Sequence, residues 1–271
     1  MLPIGFCLVT FGTSYSDLRR AAQHIDALGF DSIWVWDHYV SWNDPREPVL
    51  EGWTTLAALA EATQRVRIGP LVANNSNRHP GRLAKVVATL QEISGGRVEL
   101  GLGAGGLEHE QTPFGIEQGS PGERVARMEE ALQIIPALWS GESVTFAGQY
   151  YQLTDAIVSP PPRPHPRLIV GANGPKMAHL AGHYADGLNL QWRRRDQFPL
   201  LLAALDAGLA ASGRTRTHFD LSLHPDWRDL ARDPAHWLVH WQKMGFSRII
   251  PYLTPPFPLD GLSRLAELLQ Q

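Results

Sequence analysis

The chain alternates short apolar runs with stretches of helical periodicity, and it repeats this unit eight times. The first unit pairs the apolar run at 4–11 with the helical stretch "SDLRRAAQHIDAL", which predicts Ser16 as the N-cap and Gly29 as the terminator. Strands that alternate with helices predict a parallel sheet, and eight units in roughly 250 residues match the size of a closed (β/α)8 barrel, the TIM barrel. A doubly wound open sheet is the alternative architecture.

One segment interrupts this alternation between the fourth and fifth units. Residues 142–158, "ESVTFAGQYYQLTDAIV", alternate apolar and polar residues around Gly148, which predicts a β-hairpin, and the proline-rich "SPPPRPHP" follows. The units after this insertion complete the eight that begin before it. The sequence therefore predicts one domain over residues 1–271 rather than two domains joined by a linker.

Composition excludes several classes of protein. A net charge of −3 without a basic stripe argues against nucleic acid as a partner, and no apolar run is long enough to predict a membrane span. The one cysteine, Cys7, lies in the first apolar run as an expected core residue, so a reducing, cytoplasmic location is expected. His179 and His183 fall on a predicted outer helix, and no metal site is expected.

Polar residues stand where the second predicted strand ends. The segment "IWVWDH" closes with Asp37 and His38, and Trp34, Trp36 and Trp42 lie close by in sequence. Because working residues of such barrels lie at the carboxyl ends of strands, the pair is a candidate site. A carboxylate beside an imidazole can fix its tautomer, and the indole rings offer flat walls for a planar ligand. A hydrogen-bonded core histidine is the alternative interpretation of His38.

Two glycine-rich segments follow the fourth and fifth predicted strands. "GANGPK" at 171–176 leads into a helix whose first N–H groups are free, which predicts a phosphate site with Lys176 adding charge; an ordinary turn is the alternative. "GLGAGG" at 101–106 formally matches G-x-G-x-x-G, but three strand–helix units precede it. A dinucleotide-binding fingerprint is therefore disfavoured, and close approach of the backbone to a ligand explains these glycines better.

These segments, taken in order, carry a resemblance to a known family. "LGFDSIWVWDH", "RVRIGPLVANNSNRHPGRL", "RVELGLGAG", "RLIVGANGPKMAHLAGHYADGLN" and "GFSRIIPYL" resemble the bacterial luciferase-like superfamily of flavin- or F420-dependent oxidoreductases, especially its F420-dependent members. The resemblance implies a barrel that binds a flavin-like ring at the carboxyl mouth of its strands. It also implies F420 as cofactor, with FMN as the alternative, a small-molecule substrate and a homodimer.

The resemblance assigns roles to particular residues. Asp37 and His38 would bind the deazaflavin and serve proton transfer, and a non-prolyl cis peptide would fall within 71–73. The residues implied around the cofactor are Asp37, Leu71, Val72, Ala73, Asn74, Ala104, Gly105, Asn173, Gly174, Lys176 and Met177. The substrate pocket is predicted from Trp42, Gly106, Glu110, Trp192 and His224.

One departure from the family pattern concerns the substrate. Sugar-phosphate dehydrogenases of the family use a glutamate after the fourth strand for proton transfer, and the aligned position here is Gly106, so that activity is not implied. The main prediction is an F420-dependent oxidoreductase acting on a small organic molecule. The alternatives are an FMN-dependent monooxygenase and a non-catalytic cofactor-binding protein. A further hypothesis is that Arg193–Arg195 meet the anionic tail of F420.

Overall fold

The computed structural model describes residues 2–270 as strands and helices in strict succession around one hairpin. The strands are β1 (Phe6–Leu8), β2 (Ser32–Val35), β3 (Arg67–Pro70), β4 (Ala73–Asn74), β5 (Glu99–Gly103), β6 (Val144–Ala147), β7 (Gln152–Ala156), β8 (Arg167–Gly171), β9 (Gly187–Gln191), β10 (Asp220–His224), β11 (Arg248–Ile249) and β12 (Tyr252–Leu253).

The helices cover the outside of these strands or occupy the loops after them. They are α1 (Tyr15–Ala27), α2 (Gly52–Ala62), α3 (Pro80–Ile93), α4 (Glu108–Gln111), α5 (Pro121–Trp139), α6 (Pro175–Tyr184), α7 (Phe198–Ala211), α8 (Trp227–Arg232), α9 (Pro234–Lys243) and α10 (Leu259–Leu269). None of the helices within residues 2–270 combines the length and apolar character needed to cross a bilayer.

The strands close into a parallel barrel. One run of paired strands has the order β12-β1-β2-β3, and the other has the order β11-β10-β9-β8-β5-β4. Bridges from Ile4 to Ile249 and from Ile68 to Val98 join the two runs at both seams. Because β3 with β4 and β11 with β12 each form one interrupted barrel strand, eight strands surround the axis within residues 2–270. The (β/α)8 prediction is confirmed, and the open-sheet alternative is wrong because both edges are paired.

The predicted hairpin is also present. Strands β6 and β7 pair antiparallel between α5 and β8. The carboxylate of Glu130 on α5 accepts hydrogen bonds from the backbone N–H groups of Gln149, Tyr150 and Tyr151 at 2.7–3.2 Å. The connection between the two hairpin strands is thereby fixed to the side of the barrel.

The start of α1 differs from the sequence prediction. Ser14, and not Ser16, is the N-cap, because its backbone is extended and its Oγ accepts a hydrogen bond from the N–H of Asp17 at 3.2 Å. Ser16 lies within the first turn of the helix. The predicted terminator is correct: Gly29 follows the helix with a φ of +79°, a conformation that glycine adopts at no steric cost.

The third barrel strand is interrupted at its carboxyl end. Strand β3 stops at Pro70, a non-prolyl cis peptide joins Leu71 to Val72, and β4 resumes pairing with β5 at Ala73. The cis peptide implied for 71–73 is confirmed. The interruption sets Val72 at the mouth of the barrel.

The side chain of Val72 occupies the space beside three glycines of neighbouring strands. A Cβ added at Gly101, Gly103 or Gly171 would lie 3.2, 2.7 or 3.0 Å from the nearest Val72 methyl group. A larger residue at Gly103 or Gly171 would displace Val72, and one at Gly101 would also clash with the carbonyl oxygen of Pro70. These glycines therefore let an apolar side chain form the floor of the barrel mouth.

Candidate active site

A cavity of about 1250 Å³ opens where the barrel strands end. Its wall includes most of the residues predicted for the site: Asp37, His38, Trp42, Leu71, Val72, Asn74, Ala104, Gly105, Gly106, Asn173, Gly174, Met177, Trp192 and His224. These residues come from loops far apart in sequence. The barrel therefore brings together in one cavity the strand ends that the sequence analysis selected.

Three predicted residues lie off this wall. Ala73 is buried behind it, and the exposed side chain of Lys176 borders a separate groove beside Glu129 and His179. Glu110, predicted for the substrate pocket, is fully buried and contacts His38 instead. The backbone of Lys176, the part implied to meet a phosphate, belongs to the first turn of α6.

The His38 imidazole is surrounded by aromatic rings and one carboxylate. Its centroid lies 5.7 Å from Phe11, 5.9 Å from Trp36 and 5.3 Å from Trp42. Its Nδ1 lies 2.7 Å from Oε2 of Glu110. Because Nδ1 is occupied from behind, Nε2 is the ring nitrogen left for the cavity side. The prediction that Asp37 holds the tautomer of His38 is wrong.

Asp37 bonds to other partners, which is why it does not hold His38. Its Oδ2 accepts hydrogen bonds from Nη1 of Arg78 at 2.7 Å and from the N–H of Asn74 at 2.9 Å. Its Oδ1 is buried in the cavity wall and has no hydrogen-bond partner within residues 2–270. Burial raises the pKa of Asp37 above its ordinary value, and the Arg78 guanidinium opposes that rise. Because buried polar atoms are normally hydrogen-bonded, the unpaired Oδ1 indicates a ligand that donates a hydrogen bond to it.

Arg78 is a site residue that the sequence analysis did not select. Its Nη2 donates to Oε1 of Glu51 at 2.9 Å, and Glu51 caps α2 by accepting from the N–H groups of Trp53 and Thr54. The arginine thus links the loops after two neighbouring strands. Its place in "NRHP", directly after the third strand, was the sequence feature that could have revealed it.

The start of α6 offers free hydrogen-bond donors to the cavity. Gly174 is the N-cap, no side chain of the described residues 2–270 caps the helix, and Pro175 takes the first helical position. The N–H groups of Lys176 and Met177, next in the first turn, have no acceptor one turn earlier in the helix. A Cβ at Gly174 would meet nothing within 4 Å. An anionic group has both room and donors here.

Aromatic side chains form one wall of the cavity. Trp36 and Trp42 stack with centroids 5.0 Å apart and planes inclined by 26°, and both line the cavity. Trp34, predicted to join them, lies instead inside the barrel with Cys7 and Ile250. It is buried because side chains of a barrel strand alternate between the barrel interior and the surrounding helices.

His224 lies at the end of β10, with its ring centroid 6.3 Å from that of Trp36. Its Nδ1 lies 2.6 Å from the carbonyl oxygen of Ile250, so the ring donates a hydrogen bond there. Burial lowers the pKa of His224 to about 4. The imidazole is therefore neutral at pH 7, with Nε2 as a hydrogen-bond acceptor.

This buried histidine gives a pH dependence of stability. Between pH 6.5 and 4 the unfolded chain binds a proton at His224 that the folded chain excludes, so stability falls as pH falls through that range. We expect a loss of about 3 kcal/mol by pH 4, because a difference of one bound proton over one pH unit is worth about 1.36 kcal/mol. Urea unfolding of His224→Asn should show a flatter pH dependence than wild type, and exposed His165→Asn should match wild type. Parallel curves for His224→Asn and wild type would contradict this expectation.

Four arginine side chains line the cavity. Arg124 of α5 lies there together with Arg193, Arg194 and Arg195. The guanidinium of Arg195 lies 5.2 Å from the ring centre of Trp192, and Nε of Arg193 donates to Gln191. These guanidinium groups can attract an anionic group of a ligand.

Comparison with known proteins identifies the family. A family profile described as luciferase-like monooxygenase matches residues 4–226. The chain belongs to the luciferase-like family. The match covers every cavity residue named above.

Two relatives of similar sequence are named as F420-dependent dehydrogenases. An F420-dependent glucose-6-phosphate dehydrogenase of Microbacterium testaceum is 38% identical over 210 residues, which are 74% of this chain and 62% of the relative. An F420-dependent hydroxymycolic acid dehydrogenase of Mycobacterium tuberculosis is 36% identical over 197 residues, 72% of this chain and 54% of the relative. The chain spans less than two thirds of the length of either relative.

A solved structure gives the same fold over the whole chain. It is an F420-dependent secondary alcohol dehydrogenase in complex with an F420–acetone adduct, with a TM-score of 0.86. The superposition covers 98% of this chain and 97% of that chain at 20% sequence identity. At this sequence identity, the likeness establishes the barrel fold alone.

The luciferase-like chain differs from the sugar-phosphate pattern at Gly106 in backbone as well as in side chain. Gly106 has a φ of +137°, which a glutamate would adopt only with strain. A Cβ there would lie 3.6 Å from Nη2 of Arg124. A guanidinium therefore stands near the position where the resemblance expects a carboxylate.

Proposed function

We propose that this protein is an F420-dependent oxidoreductase that transfers a hydride between the deazaflavin and a small organic molecule. One arrangement carries the proposal: Asp37, whose buried Oδ1 has no hydrogen-bond partner within residues 2–270, and His38 line the same cavity. When bound, the deazaflavin supplies the hydride donor or acceptor. The names of the two relatives support this cofactor.

The residues present fit the ring, the phosphate and the anionic tail of such a cofactor. Asp37 offers a buried acceptor for a ring N–H group, and Val72 offers an apolar floor for a flat ring. The N–H groups at the start of α6, beside Gly174, would hold a phosphate. Arg193–Arg195, on the cavity wall, would meet an anionic tail.

The proton that accompanies hydride transfer is assigned to His38. Its Nε2 would take a proton from the substrate or return one, because Nδ1 is already bonded to Glu110. Trp42, Trp192 and His224 would bind the substrate, with the neutral His224 accepting a hydrogen bond. The arginine near Gly106 disfavours a sugar-phosphate dehydrogenase mechanism that uses a carboxylate at this position.

Titration of the protein with F420 and, separately, with FMN tests the proposal. Trp36, Trp42, Trp192 and Trp237 line the cavity, so a bound ring should quench tryptophan fluorescence. We expect tight binding of F420, weakened by salt if Arg193–Arg195 contact the tail. Tight binding of FMN alone would favour the flavin monooxygenase alternative, and binding of neither would favour a protein without cofactor chemistry. The homodimer implied by the resemblance stays a prediction.

The variant Gly174→Val examines the phosphate-binding turn. Its backbone is extended and its Cβ has open space, so the variant should fold normally, while its methyl groups would occupy the anion site. We expect F420 affinity to fall by about 10–100-fold, since hydrogen bonds to a charged group are worth about 1.5–3 kcal/mol. Gly122→Val, in the first turn of α5 and off the cavity wall, is the control. Equal affinity of both variants would argue against a phosphate at α6.

A further inference from the structure

The buried carboxylate of Glu110 lies off the cavity wall and contacts Nδ1 of His38. We infer that Glu110 is a positioning residue that holds His38 in the tautomer protonated at Nδ1. Nε2 then keeps its lone pair on the cavity side, as proton transfer requires. The catalytic meaning of this inference rests on the proposed function, whereas the tautomer is a property of the chain alone.

The two oxygens of Glu110 match two donors. Oε2 lies 2.7 Å from Nδ1 of His38, and Oε1 accepts from the backbone N–H of Tyr39 at 2.7 Å. The glutamate side chain is only 1% exposed, so water does not compete for either oxygen. A backbone N–H can only donate, and a carboxylate oxygen facing Nδ1 is satisfied by a donated proton. The geometry therefore places the Nδ1 proton between the two side chains.

Two hydrogen bonds of helix α4 hold Glu110 in this place. It belongs to α4, and its N–H donates to the carbonyl of Leu107 at 3.0 Å. The next residue, the buried Gln111, donates from Nε2 to Oδ1 of Asn77 at 2.7 Å. This bond ties α4 to the loop after β4. These two hydrogen bonds hold the α4 backbone, and with it the Glu110 side chain, beside His38.

The other neighbours of the His38 ring do not select a tautomer. Phe11 and Trp42 meet it with interplanar angles of 62° and 75°, and Trp36 with 84°. Edge-to-face packing of this kind fixes the plane of the ring, but these contacts do not distinguish Nδ1–H from Nε2–H. The proton position is therefore set by Glu110.

Replacement by glutamine should reverse the tautomer. Glutamine offers one carbonyl oxygen and one NH2 group in the place of two oxygens. With its oxygen toward Tyr39, the amide donates to Nδ1 of His38, which must then lose its proton. In the opposite orientation, the NH2 group of the glutamine would face the backbone N–H of Tyr39, and two donors would meet without an acceptor. Because the imidazole can move its proton and the backbone cannot, Glu110→Gln should yield the Nε2–H form.

Two-bond 1H–15N correlation spectra of the histidine-labelled protein at pH 8 measure this directly. His38→Gln assigns the ring, and Glu108→Gln, an exposed neighbour on α4, is the matched control. We expect the Nδ1–H tautomer in wild type and in Glu108→Gln, and the Nε2–H tautomer in Glu110→Gln. An Nε2–H or doubly protonated His38 in wild type overturns the inference, as does an unchanged tautomer in Glu110→Gln.

Binding and turnover separate this inference from the proposed function. Glu110→Gln should bind F420 within about twofold of wild type, and it should slow hydride transfer by about 10²–10⁴-fold, like loss of a general acid–base group. In the double variant His38→Ala/Glu110→Gln we expect no further loss, because both changes remove one function. Fully additive losses would overturn the inference. Wild type that fails to bind F420 contradicts the proposed function, while the tautomer spectra still decide the role of Glu110.

Discussion

Replacing His38 with alanine should lower the rate of hydride transfer by about 10²–10⁴-fold, the usual contribution of a positioned general acid–base group. The imidazole is the titratable ring on the cavity wall whose Nδ1 is already bonded to a buried carboxylate. F420 affinity should persist, because the Asp37 oxygen and the start of α6 stay in place. Single-turnover mixing, followed by F420 absorbance with a substrate that wild type turns over, measures the rate.

His109→Ala is the control for this variant, since His109 is an exposed histidine on the same helix as Glu110. It should keep the wild-type rate. A wild-type rate in His38→Ala would mean that this ring only packs against Phe11, Trp36 and Trp42. Loss of F420 binding together with the rate would instead assign His38 to cofactor binding.

Replacing Arg248 with methionine should destabilise the protein by about 3–5 kcal/mol, because it leaves buried carboxylates without their counter-charge. Arg248 is 2% exposed at the start of β11. It donates to Asp220, and its Nη1 lies 2.7 Å from Oε2 of Glu99 and 3.4 Å from Oδ2 of Asp31. Burial alone would lower the pKa of Arg248, but these carboxylates raise it above its ordinary value.

Urea unfolding at neutral pH measures this loss. Arg216→Met is the matched control, because Arg216 pairs with Asp206 at 2.7 Å on the surface, where an ion pair contributes about 0–1 kcal/mol. Arg67 and Arg167 also contact this carboxylate cluster and would retain part of its compensation. If Arg248→Met costs no more than Arg216→Met, the cluster does not hold the base of the barrel together.

The fold followed from patterns that are local in the sequence. Alternating apolar runs and helical stretches determine which segments become strands, and the insertion around Gly148 shows a period-two pattern that predicts a hairpin. Such patterns depend on residues a few positions apart, so they can be recognised without knowledge of the tertiary structure. Helix ends were less secure: Ser14 and Ser16 are both good N-caps, and only the backbone conformation decides between them. A single domain over 1–271 stays a prediction.

The sequence predicted the candidate active site only in part. Because strand ends of a barrel converge at one rim, position alone was enough to bring Asp37, His38 and Gly174 to the same cavity. Position said nothing about which polar groups bond to one another. Asp37 and His38 are adjacent in sequence and bond to different partners, Arg78 and Glu110.

The sequence by itself therefore determined the barrel, the hairpin and the rim on which the polar residues gather. Only the tertiary structure decided that Glu110, 72 positions from His38, is its hydrogen-bond partner, and that Arg248 neutralises acids from three other segments. The physical reason is range. Strand and helix formation depends on neighbours along the chain, whereas a hydrogen bond of 2.7 Å between two loops depends on every strand register and loop conformation between them.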